Sequence, residues 1–394
     1  MTSVEKKIVD FIVKYFWVIV ILVGFFGGMV ARSKGWYMES LDYEGYLYPW
    51  METLDQNTGF KGLAIEDLAT YYIPYLTVLA AGTYLDPSQW LNYIKVISVI
   101  SEIIFAVGAT LIAYKLLKES GRNPKWASAV FALFMLSPQI VMNGAFWGQC
   151  DYIYGAFTML CVYFFLCEKY ALAMNMFGIA FIFKQQALFI LPVLVLVYLI
   201  NKKFSILQFL YIPMWYLIGG LPAIIAGRPA ISVYKIYLDQ ASEFGQLSMN
   251  LPNIYRYFPN DMKDDFFKWG VYTTAVILFI LALWVFERGY TLSNQAILGL
   301  FLVSTGVCGL FLPALHERYI ALYSAFLYLY YMIYCKRKVV LGGIVEVLIC
   351  ITYFYSLYGI NRVDQYHFVA IPHLLILFYV IYDVTRDIKS TSAN

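Results

Sequence analysis

Residues 9–30 have the sequence VDFIVKYFWVIVILVGFFGGMV, in which Asp10 and Lys14 are the charged positions. A predominantly apolar stretch of about 20 residues can cross the ~30 Å hydrocarbon core of a bilayer as an α-helix. No convincing cleavage site for a signal peptide follows it, so we expect this stretch to be retained as the first membrane helix. The stretch indicates a helical membrane protein.

The composition of the whole chain agrees with this interpretation. Of its 394 residues, 61% are hydrophobic and 13% are charged, and the mean hydropathy is +0.67. A soluble domain carries about 25% charged residues, so a soluble globular protein is excluded. Apolar stretches recur along the chain at about 9–30, 93–117, 126–142, 152–167, 170–183, 187–200, 206–226, 269–286, 294–312, 320–335, 339–358 and 368–385. We therefore predict an all-α polytopic protein with about twelve membrane helices in a single domain, 1–394.

The short connections between the stretches differ in charge. One predicted face collects Lys6, Lys7, Lys115, Lys118, Arg122, Lys125, Lys169, Lys202, Lys203, Arg288, residues 336–338, Arg386 and Lys389. Since Lys and Arg concentrate in cytoplasmic connections, both termini should be cytoplasmic. The opposite face carries two long connections, about 31–92 and 227–268, in which we expect interfacial helices. Functional residues tend to lie in connections held by a rigid scaffold, so we expect an extracytoplasmic site.

The first long connection contains residues 41–54, with the sequence LDYEGYLYPWMETL. Its carboxylates and aromatic rings suit sugar binding and the removal of a proton from a hydroxyl group. An interfacial belt of Tyr and Trp would give a similar composition. If the site is catalytic, Asp42 and Glu44 are both candidates for the general base.

Three further polar motifs fall in outward-facing turns. Residues 147–151 (WGQCD) could bind a polar ligand or simply end a helix; residues 184–186 (KQQ) offer a lysine for phosphate binding or for snorkelling. Residues 316–319 (HERY) follow Pro313 at the predicted start of a helix, where free amide groups attract anions. An ion-paired helix cap is the structural alternative for this last motif.

Neither a disulfide framework nor a metal site is indicated. The six cysteines form no C-x-x-C pair, and most of them lie within apolar stretches. No compelling set of metal ligands is present, so we expect no cofactor, although a divalent metal is not excluded. The net charge of +3 is small, and we expect membrane lipid rather than nucleic acid as a partner.

Taken together, these motifs resemble the GT-C glycosyltransferases, multispan enzymes that use polyprenyl-phosphate-linked sugars. Residues 42–44 and 50–53 resemble the first-loop signature of the dolichyl-phosphate-glucose-dependent glucosyltransferases of N-glycan assembly. Residues 72–77 (YIPYLT) resemble the Tyr-Pro-Pro-Leu-Thr segment of those enzymes. Residues 147–151, 184–185 and 316–319 look like bacterial relatives of the GPI mannosyltransferase group. The motifs cover the chain up to about residue 320.

This resemblance implies inverting, single-displacement transfer of a hexose, glucose or mannose, from a polyprenyl-phosphate donor to a lipid-linked or cell-surface glycan. Asp42 would be the general base, with Glu44 as the competing candidate. The donor phosphate would be bound by Lys184, His316 and Arg318, which would supply fixed positive charge for the departing group. The remaining candidates, assigned to sugar or acceptor binding, are Glu44, Tyr72, Trp147, Gln149, Asp151, Gln185 and Glu317. Ile73-Pro74-Tyr75 replaces the double proline and Arg318 replaces a lysine, so the sugar cannot be assigned by analogy.

Other functions predict different features. A lipid-linked oligosaccharide flippase or polymerase would have an arginine-rich central cavity, but few basic residues fall within the apolar stretches. A secondary transporter would show internal repeats and ion ligands within the membrane. A structural subunit would have no need of Asp42, Lys184 and His316 together. The outer loops lack an Asn-x-Ser/Thr acceptor, which favours a bacterial plasma membrane over the endoplasmic reticulum.

Overall fold

The computed structural model describes residues 1–243, 246–259, 261–287, 292–360 and 366–392, and it is helical throughout these ranges, without strands. Arg288, one of the residues used to predict the orientation, lies outside them. The helices are α1 Ser3–Ser33, α2 Tyr48–Gln56, α3 Ile73–Gly82, α4 Trp90–Glu119, α5 Ala127–Leu136, α6 Pro138–Val141, α7 Asp151–Leu166, α8 Tyr170–Phe183, α9 Leu191–Asn201, α10 Tyr211–Ala226, α11 Ala230–Glu243, α12 Lys263–Glu287, α13 Asn294–Phe311, α14 Ala321–Tyr334, α15 Val339–Leu357 and α16 Tyr366–Ser392.

The prediction of a helical membrane protein is confirmed. Within the described ranges, seven helical segments are long and apolar enough to cross a membrane, or eight if α5 and α6, bent by 44°, form one span. Four of the twelve predicted spans, 152–167, 170–183, 187–200 and 320–335, correspond to helices too short to meet this criterion: α7, α8, α9 and α14. Twelve spans therefore remain a prediction. Both long outer connections contain helices, with α2 and α3 in the first and α11 in the second.

The apolar residues of α7, α13 and α14 are buried on nearly all sides, as expected of helices at the centre of a bundle. The first helix is different, because its buried residues are limited to Gly24, Gly28 and Arg32. A Cβ atom on Gly24 would lie 2.5 Å from the Cα atom of Ala132 on α5. These glycines therefore let α1 pack closely against α5 while its other faces stay exposed, in the manner of small-residue interfaces between membrane helices.

Two buried cations fix the chain where α1 leads into the first long connection. Arg32 Nε lies 2.7 Å from Glu102 Oε2 on α4, and its Nη1 donates to the carbonyl of Met135 at 2.8 Å. Lys95, also on α4, donates to the carbonyls of Gly35, Trp36 and Met38 at 2.8, 2.9 and 2.6 Å. The carbonyls that follow a helix have no intrahelical partner, so these bonds stabilise the turn that leads to Asp42.

The ends of four helical segments meet beyond this turn. Residues 41–56 form one continuous helical segment whose middle, Tyr43–Leu47, is a π-helix. A second π-helix, Met142–Phe146, precedes the 147–151 turn. The π-helix has one extra residue per turn and often occurs at functional sites. The ends of α8 and α13 complete this region with the segments 184–190 and 312–320.

Candidate functional site

Four charged side chains from distant parts of the sequence form one cluster at this end of the helices. They are Asp42 before the first π-helix, Asp151 at the start of α7, Lys184 at the end of α8 and Arg318 between α13 and α14. We call this group the charged cluster. The packing of helices brings the four residues together, although they are up to 276 positions apart (318 minus 42).

Asp151 and Lys184 form the buried half of the cluster. Lys184 Nζ contacts Asp151 Oδ1, and Asn143 Nδ2 donates to Asp151 Oδ2 at 3.0 Å. The ammonium group of Lys184 also lies 5.7 Å from the ring centroid of Tyr71 and 4.7 Å from that of Tyr319. Such ring faces attract a cation electrostatically. The lysine is therefore held by a carboxylate and two aromatic rings and is almost fully removed from solvent.

Arg318 connects this pair to the outer carboxylate. Its Nε lies 3.5 Å from Asp151 Oδ2, and its Nη2 lies 3.7 Å from Asp42 Oδ2. The guanidinium carbon is 5.4 Å from the ring centroid of Trp147, while Nη1 donates to Glu317 Oε1 at 3.4 Å. The planar guanidinium suits such a position because it can pair with carboxylates and stack on a ring at the same time.

Asp42 is the most accessible member of the charged cluster, with 27% of its side chain exposed. Gln149 Nε2 donates to Asp42 Oδ2, and Gln149 itself is buried. The backbone around Asp42 is held by Ser40, whose hydroxyl donates to the Trp147 carbonyl at 2.7 Å and accepts from the Tyr43 amide at 3.1 Å. The 147–151 turn therefore positions Asp42 through both its backbone and its side chains.

Burial shifts the pKa values of His316 and Glu317, the two residues that precede Arg318. Burial raises the pKa of Glu317 from 4.5 to about 7, with Arg318 opposing this shift and Asp42 and Asp151 adding to it. Burial, together with Arg318 and Lys184, lowers the pKa of His316 well below its usual value. His316 is consequently neutral at pH 7, which favours a hydrogen-bonding role over the positive charge predicted for it. Glu317 Oε2 has no hydrogen-bond partner among the described residues.

Lys184 keeps its positive charge despite its burial. Burial by itself lowers the pKa of the ammonium group, but the carboxylate of Asp151, together with Tyr319 and Cys150, outweighs this effect, and the pKa is raised. Lys184 and Arg318 therefore remain the cations of the cluster at neutral pH.

Three of the predicted site residues, Glu44, Tyr72 and Gln185, are neither members of the charged cluster nor paired with one. Glu44 is exposed, and no ion pair to it is found within the described ranges. The Tyr72 hydroxyl donates to the Tyr216 carbonyl at 2.5 Å, and the two rings stack at 4.5 Å. Gln185 Nε2 donates to the Tyr237 carbonyl at 2.9 Å and to Gln240 Oε1 at 3.0 Å. In this structure, Tyr72 and Gln185 join α3, α8, α10 and α11 and do not contact the cluster.

Tyr71, Asn143 and Tyr319 were not predicted as site residues, yet they contact the cluster. Tyr71 lies in a bend immediately before Tyr72, whose backbone is extended. It falls one residue before the 72–77 segment, so the motif resemblance did not include it. Tyr319 belongs to the 316–319 motif, so its neighbours supplied a signal. Asn143 lies in the π-helix and had no comparable sequence signal.

A row of aromatic rings leads from the surface to the cluster. Tyr46 is exposed, and its ring centroid is 5.9 Å from that of Trp50. The Trp50 ring lies 5.6 Å from that of Tyr71, which in turn faces Lys184. Asp42, Tyr46 and Trp50 are spaced four residues apart, so they lie along one side of the helical segment. An accessible carboxylate thus stands beside an aromatic surface and above buried cations.

The geometry suits a reaction that removes a proton from a hydroxyl group and stabilises a negative charge nearby. A carboxylate can accept the proton, and fixed cations in a site from which water is largely excluded stabilise developing charge more strongly than they would in water. In the parts of the chain that the structure describes, no three His, Cys, Asp or Glu side chains are grouped as metal ligands. The absence of a cofactor remains a prediction.

No protein-family model and no curated protein sequence matches this chain. The structure defines it as a multi-pass helical membrane protein with a charged cluster at one end of its helices. A more specific function follows from the chemistry of the cluster and from the motif resemblance, and it is a proposal.

Proposed function

We propose that the protein is an inverting glycosyltransferase of the GT-C type. It transfers a hexose, glucose or mannose, from a polyprenyl-phosphate donor to a hydroxyl group of a lipid-linked or cell-surface glycan. The observation that carries the proposal is the contact of an accessible carboxylate, Asp42, with the buried cation Arg318. Transfer from a lipid phosphate needs both groups side by side, because one activates the acceptor and the other stabilises the departing phosphate.

In this mechanism, Asp42 removes the proton from the acceptor hydroxyl as its oxygen attacks the anomeric carbon. The bond between that carbon and the phosphate oxygen breaks on the opposite side, which inverts the configuration. The polyprenyl phosphate leaves as an anion and needs no proton from an acid. Asp42 is favoured over Glu44 because it contacts Gln149 and Arg318, whereas Glu44 points away from them into exposed surroundings.

The developing charge on the donor phosphate is stabilised by Arg318 and, behind it, by Lys184. Arg318 is the nearer of the two to Asp42, so we propose that it contacts the phosphate directly. Lys184 forms an ion pair with Asp151 and contributes its fixed positive charge from the buried side of the cluster. His316, being neutral, supplies a hydrogen bond. The rings of Tyr46, Trp50 and Tyr71 offer apolar faces on which a sugar can stack.

The proposed setting is a membrane with the charged cluster on its extracytoplasmic side and both termini in the cytoplasm. A bacterial plasma membrane is favoured by the lack of Asn-x-Ser/Thr acceptors in the outer loops. In this arrangement, the short helices α7, α8, α9 and α14 complete twelve spans, shielded from lipid by the longer helices around them. The burial of α7 and α14 supports that placement.

The proposal can be tested with purified protein in nanodiscs. Short-chain polyprenyl-phosphate glucose, mannose and N-acetylglucosamine would each be offered with a panel of lipid-linked acceptors, and the products identified by mass spectrometry. Turnover of glucose or mannose with inversion supports the proposal. If no donor is used and lipid pyrophosphate binds tightly, the flippase or polymerase function replaces it.

A further inference from the structure

A separate cavity lies at the other end of the molecule from the charged cluster. Trp90, at the start of α4, contacts the ring of Tyr48 near the cluster, with 5.5 Å between the ring centroids. Leu117, near the end of the same helix, is about 40 Å further along at a rise of about 1.5 Å per residue. Leu117 forms one wall of a groove between α4, α5, α14 and α15, which we call the basal groove.

The walls of the basal groove are almost wholly apolar. Its volume is about 190 Å³, and it is lined by Leu117, Trp126, Val130, Met332, Ile333, Lys336 and Val339. A protein cavity of about 150 Å³ lined by apolar side chains stays dry and binds hydrocarbon. The basal groove is comparable in volume and is lined almost wholly by apolar side chains, so its walls suit a hydrocarbon chain.

Several basic residues surround the groove, and some of them already have partners. Lys115 is paired with Glu119, Lys338 with Asp383, and Arg122 donates to the carbonyl of Ile333 at the end of α14. These contacts leave the carboxylates of Glu119 and Asp383 already paired.

Other cations at the rim have no such partner. Lys125, Lys336 and Arg337 are exposed, and none of them has an ion pair within the described ranges. The ammonium group of Lys336 lies 3.7 Å from the ring centroid of Trp126, which places a positive charge at the mouth of the groove. The rim therefore has surplus positive charge above an apolar floor.

We propose that the basal groove binds an anionic phospholipid. One acyl chain lies along the apolar walls, and the phosphate contacts Lys336 with Lys125 and Arg337 nearby. The occupant should have an apolar chain and an anionic group, because the walls of the groove are apolar and the cations at its rim have no ion-pair partner. A Trp–Lys pair of this kind is typical of the boundary between hydrocarbon and headgroups. The inference does not depend on the proposed enzymatic function.

The test is lipid binding to the delipidated full-length protein, measured by native mass spectrometry. Phosphatidylglycerol, phosphatidylcholine and a short polyprenyl phosphate would be titrated separately, with the double variant Lys336→Gln/Arg337→Gln beside the wild type. The matched control is Lys6→Gln/Lys7→Gln, which removes two exposed lysines from the start of α1. We expect selective binding of phosphatidylglycerol, weakened about fivefold per removed charge near the groove, the factor that corresponds to about 1 kcal/mol per basic residue. The control should bind like the wild type.

A second variant tests the apolar floor independently. Val130→Trp fills the groove and should abolish the tight phosphatidylglycerol site while leaving weaker surface binding. Melting temperature and gel filtration would show that it is folded, and the charge variant keeps the test decisive if it is not. Equal affinity for phosphatidylcholine, unchanged binding in the charge variant, or tighter binding of polyprenyl phosphate than of phosphatidylglycerol at a site that the charge variant loses would each overturn the proposal.

Discussion

Removing the carboxylate of Asp151 should destabilise the protein more than removing the ammonium group of Lys184, although the two groups form one ion pair. In Lys184→Met, Asp151 keeps Arg318 at 3.5 Å and Asn143 at 3.0 Å as partners. In Asp151→Asn, Lys184 and Arg318 are left as two buried cations, and Lys184 loses the carboxylate that compensates for its burial. The structure therefore predicts an asymmetry between the two ends of one pair.

The size of the effect follows from the distances. At an effective dielectric constant of about 20, charges 3.5 Å apart attract each other with about 5 kcal/mol, before the cost of removing them from water is subtracted. Breaking a buried pair from one side typically costs about 3–5 kcal/mol. We expect Asp151→Asn to fall in that range and Lys184→Met to cost about 1–3 kcal/mol, the range for a lost hydrogen bond to a charged group. The double variant should cost about 2 kcal/mol less than the sum.

The assay is reversible unfolding in detergent micelles, followed by tryptophan fluorescence for the wild type, the two single variants and the double variant. Lys203→Met is the matched control, because Lys203 forms an exposed ion pair with Glu168 at 2.6 Å. Exposed pairs contribute little, so the control should unfold like the wild type. Glycosyl transfer measured on the same samples should stay low in the double variant, because the coupling energy offsets part of the stability loss but does not restore the positive charge of Lys184.

Equal destabilisation by Asp151→Asn and Lys184→Met would refute this account of the cluster. It would mean that Arg318 does not act as a second partner for Asp151. Strict additivity in the double variant would lead to the same conclusion, since contacting charges must show a coupling energy.

Three further variants test other parts of the structure. Glu317→Gln should remove a pH dependence of stability, because the pKa of Glu317 rises from 4.5 to about 7 on folding and the folded state therefore binds the proton more tightly. The stability of the wild type should then fall, by about 3 kcal/mol at most, as the pH rises from about 4.5 to about 7. Identical pH profiles of unfolding for wild type and variant would contradict this. Tyr72→Phe removes the hydrogen bond to Tyr216 and should lower the free energy of unfolding by about 1 kcal/mol, with the rate of transfer within twofold of wild type. A large loss of turnover in a folded variant would instead give Tyr72 a role in the reaction. Lys95→Met removes the side-chain donor from three carbonyls and should lower the free energy of unfolding by about 2–4 kcal/mol, with a parallel loss of transfer. Unfolding and activity measured on one sample would check this. A stable but inactive variant would instead indicate a direct role of Lys95 in the reaction.

Much of the fold could be predicted from the sequence, because a membrane helix is recognisable from a local apolar stretch. An apolar stretch such as 9–30 must satisfy its own backbone hydrogen bonds, so a helix is the expected result wherever it lies in the chain. What could not be predicted is which helices cross the membrane by themselves. α7, α8 and α14 are short, and their environment depends on neighbours that are remote in sequence.

The candidate site was predictable in part for a related reason. Asp42, Asp151, Lys184 and Arg318 are polar residues in outward turns of an apolar protein, and such residues are uncommon enough to be noticed. Their mutual distances depend on helix packing, which the motifs do not contain. Packing also decided between Tyr71 and Tyr72, since Tyr71 faces Lys184 whereas Tyr72 bonds to Tyr216.

Charge states were the least predictable property. His316 was expected to contribute a positive charge, but the burial of its ring beside Arg318 and Lys184 keeps it neutral. Glu317 was assigned to sugar binding, and no protonation state was predicted for it. Its burial raises its pKa to about 7, which shifts it toward the neutral form at pH 7. Both effects arise from neighbours and solvent exclusion, and neither is visible in the residue types alone.

The most direct test of the central claim compares Asp42→Asn with Glu44→Gln. Both variants remove a carboxylate from the same helical segment, but Asp42 contacts Arg318 and Gln149, whereas Glu44 is exposed. Single-turnover transfer from the donor identified in the nanodisc assay would be measured for both, with donor binding and melting temperature on the same samples. We predict that Asp42→Asn lowers the rate of transfer by at least about 100-fold, the scale of general-base catalysis, with donor binding retained and Glu44→Gln near wild type. Transfer at near wild-type rates by Asp42→Asn would contradict the assignment of Asp42 as the base.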